Sequence, residues 1–120
     1  MGLRYRKNVK TMPGKPDIVF PGARLAIFCD GDFWHGRDWQ ILQVKLGRGA
    51  NADYWIAKIG SNIERDHLTN SLLAHVGYEV VRLWESDIRK DPYAVACYVS
   101  ELVKRRRHKA QRPKTAVAGT

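Results

Sequence analysis

The residues able to do chemistry fall in three short stretches. Asp17 follows Pro16 just before a run of apolar residues, and Asp30 and Asp32 lie at the end of and just past the next apolar run. If both runs are strands, these carboxylates sit at adjacent strand ends and can share a hard divalent cation. Such an ion ionises a water and stabilises a phosphate transition state. The plain alternative for any isolated Asp is a turn cap or a solvated loop acid. The apolar sequence around Asp17 and Asp30 argues against it, because it pins both at the ends of buried strands. His35 follows two large aromatics in a loop bounded by Gly31 and Gly36. It could protonate a leaving oxygen or take a proton from water, or simply pack on Trp34. Asn62 and Asp66 are four apart and share one helix face. They sit at the edge of a core-facing stripe, where they could position a water, a metal or His35.

Phe33, Trp34 and Trp55 could stack on bases or wedge between base pairs. Core packing is the safer reading for a lone Trp, but two consecutive bulky aromatics on a Gly-flanked loop are hard to bury together. The two cysteines (Cys29, Cys97) and four histidines (His35, His67, His75, His108) show no spacing of a structural zinc site. Gly47-Arg48-Gly49 is too short for a phosphate-cradling loop.

The elements that must hold these residues follow from pattern. Residues 1–16 read as an irregular basic lead-in broken by Pro13, Gly14 and Pro16. Asp17–Phe20 and Arg24–Asp30 read as two strands around the Pro21-Gly22 turn, a hairpin whose second strand is central in its sheet. Pairing Phe20 with Leu25 would bring Asp17 close to Phe28 and Cys29, beside Asp30. Residues 37–50 are ambiguous. Ala52 to about Val76 reads as one helix, or two with a kink near Gly60-Ser61, ending at Gly77 as a natural C′ residue. Tyr78–Trp84 reads as a strand. Asp91-Pro92 opens a last helix, with Asp as N-cap and Pro at N1. The order is strand, strand, helix, strand, helix.

A chain of 120 residues suits one domain. Its 44% apolar and 28% charged composition excludes wholesale disorder. It has neither a membrane-length apolar run nor a signal-peptide pattern, so the expected location is the cytoplasm. The net charge of +9 is unevenly spread. Residues 1–15 carry five Lys/Arg and residues 104–120 carry seven, neither with any acid, so the middle is acidic. Basic ends suit a polyanion, and an acidic middle suits divalent-metal chemistry. Arg4, Arg6, Lys7 and Lys15 are the candidate backbone contacts of the first end. The second, residues 104–120, is expected to be a basic, disordered tail after a domain over residues 1–103. It could be merely solubilising.

Ordered blocks of the chain closely resemble the very short patch repair (Vsr) endonuclease family. They run Leu3-Arg4-Tyr5-Arg6, Pro13 to Phe20, Ala26-Ile27-Phe28, Gly31-Asp32-Phe33-Trp34-His35-Gly36, Tyr54 to Ile59, Asn62 to Asp66, Gly77-Tyr78-Glu79-Val80 and Trp84-Glu85. The blocks cover about residues 2–90, and their order makes the resemblance specific. It implies an α/β, restriction-endonuclease-like fold with a mixed central sheet flanked by helices. It implies an enzyme that nicks DNA beside a T:G mismatch using Mg²⁺. Asp17 matches the metal-ligating aspartate, and Cys29 sits where the family uses a backbone carbonyl as a ligand. Asp30 is a further candidate ligand from its strand-end position. His35 matches the catalytic histidine, and Asn62 and Asp66 match its supporting helix pair. Phe33, Trp34 and Trp55 match the intercalating aromatics.

Two departures stand out. Well-known members bind a structural zinc through one His and three Cys. Here the matching positions are Asp30, Asp32, Asp38 or Trp39, and Ser86, which predicts a zinc-free branch with a polar or carboxylate network in its place. The family also has an N-terminal helix bearing an active-site glutamate, whereas here no acid precedes Asp17. The expectation is a chain that starts after that helix. The main function expected is therefore a metal-dependent DNA endonuclease acting as a monomer on double-stranded DNA, alongside other repair or restriction-modification proteins. The competing expectations are a DNA-binding remnant that no longer cuts and, more weakly, a structured-RNA binder.

Overall fold

The computed structural model describes residues 4–110, with side chains through His108. Within that span the two expected strands are β2 (Ile18–Phe20) and β3 (Leu25–Asp30), paired antiparallel with Phe20 opposite Leu25 and Ile18 opposite Ile27. That is the expected register. β3 is central because nearly all of it is apolar: Leu25, Ala26, Ile27 and Phe28 are buried. Its other neighbour is β4 (Glu79–Trp84), which runs parallel to it. A parallel partner requires a crossover. Here the crossover comprises α1 (Trp39–Gly47) and α2 (Ala52–His75).

The lead-in is not wholly irregular. Arg6–Lys7 form a short edge strand, β1, antiparallel to β2. Two exposed basic residues carry no apolar alternation, which hides such a strand from pattern reading while keeping the edge from pairing with other chains. The order β1-β2-β3-β4 makes the sheet mixed.

α2 is a single helix through Gly60-Ser61. It ends as expected, with Gly77 at φ 91°, its N–H on the Ala74 carbonyl and the Tyr78 N–H on Leu73. After β4 comes a short helix, α3 (Glu85–Lys90), and then α4 (Pro92–Ala110). Asp91 caps α4 by accepting the Ala94 N–H at 3.0 Å. α4 continues through residues 104–110, into the stretch read from sequence as a tail; residues 111–120 of that stretch lie outside the described residues.

Side-chain alternation along β3 divides the core in two. Leu25 and Ile27 pack with Phe20, Val81 and Val103 on the α4 face. Ala26 and Phe28 pack with Leu73 on the α2 face. The result is the expected mixed sheet flanked by helices. No helix among the described residues is long and apolar enough to cross a membrane.

Candidate active site

The C-terminal end of β3 gathers the chemistry. The Cys29 N–H donates to Asp17 Oδ2 at 2.7 Å, so the Asp17 side chain extends the hairpin ladder by one bond. Carrying the register on by one pair sets Asp17 opposite Phe28, on the α2 face that also carries Asp30. Cys29 points the other way, where it lines the apolar cavity under α4 with Ile18, Leu83 and Val99 and stays exposed. Burial, then the charges of Asp17, Asp30 and Glu85, push its thiol pKa up. The side chain of Cys29 thus faces away from Asp17, while its backbone N–H bonds the Asp17 carboxylate.

Three successive turns of α2 meet this strand end. Asn62 Nδ2 donates to the Trp34 carbonyl at 2.8 Å. Asp66 Oδ2 lies 2.6 Å from His35 Nδ1. Asn70 Oδ1 accepts from Arg82 Nε at 2.8 Å. The spacing of 62, 66 and 70 is the helical i, i+4, i+8 stripe. The two expected positions thus act as a pair, one holding the histidine loop by its backbone and the other holding the imidazole itself. A carboxylate can only accept, so Nδ1 carries the proton towards Asp66 and the basic lone pair falls on Nε2.

Arg82 is a site residue that sequence reasoning missed. It projects from β4 with its guanidinium 4.1 Å from the centre of the Phe28 ring. Nη1 donates to both oxygens of Asp30 at 3.0 and 3.2 Å, and lies 3.4 Å from Asp66 Oδ1. Asp30 is only 4% exposed. Burial raises its pKa, and Arg82 and then His35 pull it back. Asp30, His35 and Asp66 offer ligand atoms within 4.8 Å of one another. The guanidinium already compensates both carboxylates of that trio, whereas the Asp17 carboxylate, the donor type a magnesium-like ion prefers, is bonded to the Cys29 N–H instead. A charge inside an otherwise apolar strand was the available signal for Arg82, because it demands a buried partner. Asn70 was legible as the next i+4 position after Asp66.

The aromatics converge as well. The ring centres of Phe33, Trp34 and Trp55 are 5.3–5.8 Å apart, and Tyr54, absent from the expected set, joins through Trp55 at 5.1 Å. Trp34 remains half exposed, so the cluster presents ring surface beside His35. Gly36 makes this approach possible. Its φ is 69°, and a Cβ there would lie 2.6 Å from Ile63 Cδ1 and 3.1 Å from Ile59 Cγ2. Gly36→Ala is therefore expected to cost about 1–3 kcal/mol in unfolding experiments and to loosen the histidine loop. A melting temperature within a degree of the parent would refute that close approach.

Of the positions matching the zinc ligands of well-known Vsr proteins, two meet. Asp32 Oδ1 accepts the Ser86 N–H at 3.0 Å, and Asp32 Oδ2 accepts the Ser86 hydroxyl at 2.5 Å. Arg37 Nη1 completes the clasp with bonds to Ser86 Oγ (2.7 Å), Asp87 Oδ1 (3.1 Å) and Asp32 Oδ2 (3.2 Å). The Ser86 hydroxyl, then its N–H and Arg37, hold the Asp32 carboxyl below its ordinary value. Bonding to Asp87 and Asp32 raises Arg37. The clasp thus ties the histidine loop to the start of α3 with hydrogen bonds. Asp30 belongs to the Arg82 network instead, and Trp39 packs towards Gly60.

The candidate basic contacts do not all gather at this site. Lys7 and Lys15 are exposed near the β1 edge and the turn before Asp17. Arg4 and Arg6 line a cavity at the other end of the hairpin, beside Pro21-Gly22.

A family model described as DNA mismatch endonuclease Vsr matches residues 1–41. A Type II nicking enzyme of Haemophilus parainfluenzae is 44% identical over 92 residues, 77% of this chain and 64% of that protein. A Type II nicking enzyme of Neisseria meningitidis serogroup C is 41% identical over 104 residues, 87% of this chain and 69% of that protein. The DNA mismatch endonuclease Vsr of Escherichia coli (strain K12) is 36% identical over 88 residues, 73% of this chain and 54% of that protein. The chain thus spans between about half and just over two thirds of the length of these relatives. With the histidine, helix pair and aromatic cluster assembled on a mixed sheet, and with 41% identity across more than two thirds of a nicking enzyme, the chain belongs to the Vsr family of DNA mismatch endonucleases.

Proposed function

We propose that this chain nicks double-stranded DNA by hydrolysing one phosphodiester, near a T:G mismatch or a related site. The observation that carries the reading is the 2.6 Å contact from Asp66 to His35 Nδ1, in a loop anchored by Asn62 beside the Asp17 strand end. Water supplies the attacking oxygen, and the phosphorus–oxygen bond to the leaving oxygen breaks. His35, with its lone pair on Nε2, takes a proton from the attacking water or, once protonated, gives one to the leaving oxygen. Asp66 keeps the ring in one tautomer, and Asn62 keeps the loop backbone in place. Asp17 and the Cys29 carbonyl are the residues that would hold Mg²⁺. When bound, the ion supplies positive charge to the phosphate and lowers the pKa of a coordinated water. Phe33, Trp34 and Trp55 present ring faces to the bases. The basic residues Arg4, Arg6, Lys7 and Lys15 contact the phosphate backbone. The reading includes action as a monomer in the cytoplasm, alongside repair or restriction-modification proteins.

The test is nicking of a supercoiled plasmid and of a T:G-mismatched duplex, with Mg²⁺ or with EDTA. The expected result is open-circular product only with the metal, and faster cutting of the mismatched duplex than of its T:A counterpart. Absence of nicking by folded protein that binds DNA would overturn the catalytic reading and favour a DNA-binding remnant. A clear preference for structured RNA over duplex DNA in competition would overturn both DNA readings.

A further inference from the structure

We infer that Arg4, Arg6 and Arg107 form a single binding site for a backbone phosphate of duplex DNA, remote from the nicking site. The inference rests on the reading of this chain as a DNA-acting protein, and it assigns a contact at the far end of the sheet. The two basic ends of the chain, separate in sequence, meet there. A cavity of about 760 Å³ is lined by these three arginines over a floor that includes Phe20 and Val103, and no lining residue is acidic.

Each wall is held by structure. Arg6 lies in β1, opposite Val19. Tyr5 packs its ring 6.1 Å from Phe20, which fixes the arm that carries Arg4 and Arg6. On the other side, Arg106 gives up solvent for the backbone. Its Nε donates to the Ala23 carbonyl at 2.9 Å, and its Nη2 donates to the Arg24 and Gly77 carbonyls at 3.2 and 3.3 Å. That clamp docks α4 on the hairpin turn and delivers the next residue, Arg107, to the cavity. Three guanidiniums with no acid among them repel one another, and among the described residues none of them has an acidic partner. Their planar donors match phosphate oxygens.

The spacing suits a duplex. The cavity lies at the Leu25 end of β3 and the His35 site at the Asp30 end. Six residues of strand separate these ends by about 17 Å, close to about five base pairs along a duplex axis. A backbone phosphate held here would fix the register of the duplex without reading its sequence.

The test measures duplex affinity against salt concentration for the full chain and for Arg107→Ala, with Lys90→Ala, outside the cavity, as control. Arg107 is exposed, so the fold is expected to persist. Arg107→Ala should weaken binding roughly 3–10-fold at about 0.1 M salt, equally on matched and mismatched duplexes, and reduce the salt slope by about one unit. Arg4→Ala added to Arg107→Ala should lose less than it does alone, because both serve one phosphate.

An unchanged slope, an equal loss in Lys90→Ala, or losses that simply add in the double variant would overturn the site. If the parent binds duplex but never nicks, the catalytic reading fails while the slope still judges the cavity. If the parent nicks and Arg107→Ala keeps its slope, the cavity alone fails. A parent with no duplex affinity overturns both.

Discussion

Arg82→Met is expected to destabilise the protein by about 3–5 kcal/mol at pH 7, the cost of stranding one member of a buried ion pair. Asp30 has nowhere else to turn. It is 4% exposed, both of its oxygens receive the guanidinium at 3.0 and 3.2 Å, and its contact with His35 Nδ1 is longer, at 3.7 Å. Met preserves the apolar contact with Phe28, so the loss reports the charge rather than the volume.

The pH dependence gives the sharper signature. Burial already raises Asp30 above its ordinary value of 3.8, against the pull of Arg82. Without Arg82 it rises further. A folded-state pKa above the unfolded one means that the folded variant binds the proton more tightly. The penalty is therefore absent below about pH 4 and grows as pH rises towards the raised value. Urea denaturation of parent and variant at several pH values should show the gap widening from pH 4 to pH 7. Asp30→Asn in the Arg82→Met background should recover most of the loss. A loss below about 1 kcal/mol, or one independent of pH, would show that Asp30 is not held by Arg82.

Arg82 also marks the limit of sequence reading. Pattern revealed the hairpin register because Ile18–Phe20 and Leu25–Phe28 are apolar runs around a Pro-Gly turn, and register follows from turn and burial. It revealed the end of α2 and the start of α4 because Gly77 and Asp91-Pro92 are local signals, whereas the far end of α4 runs into the basic stretch read as a tail. β1, α1 and α3 escaped for different reasons. β1 is two exposed basic residues whose pairing depends wholly on β2. α1 buries none of its residues and leaves Ile41 73% exposed, so no apolar stripe announces it. α3 has six residues, too few for a period. Arg82 and Arg37 escaped because Asp30 and Ser86, which they bond, lie 52 and 49 residues away in sequence and are brought to them by the parallel β3–β4 pairing and its crossover.

The clasp shows how a resemblance can point to a place without revealing its chemistry. Matching zinc positions directed attention to Asp32 and Ser86, and these two do bond. The cation that joins them is the guanidinium of Arg37, from the loop itself. A fixed positive group can cross-link a loop acid to the start of a helix much as a structural metal would, with no requirement for thiolate ligands.

Asp66→Asn is expected to lower the single-turnover nicking rate by about 10²–10⁴-fold while leaving duplex affinity within about twofold. The carboxylate accepts the proton of Nδ1 at 2.6 Å. An amide placed there can donate instead, which moves the ring proton to Nε2 and occupies the lone pair that the reaction needs. The fold should tolerate the change, because Arg82 keeps Asp30 and Asn70 as partners. The decisive comparison is with His35→Ala. If Asp66 acts only through the imidazole, the double variant is no slower than His35→Ala alone, since residues that act as a unit do not add. A rate for Asp66→Asn within about threefold of the parent would remove Asp66 from the machinery. Losses that multiply in the double variant would give Asp66 a task of its own, and the cluster it forms with Asp30 and His35 would then have to be weighed as a second metal position.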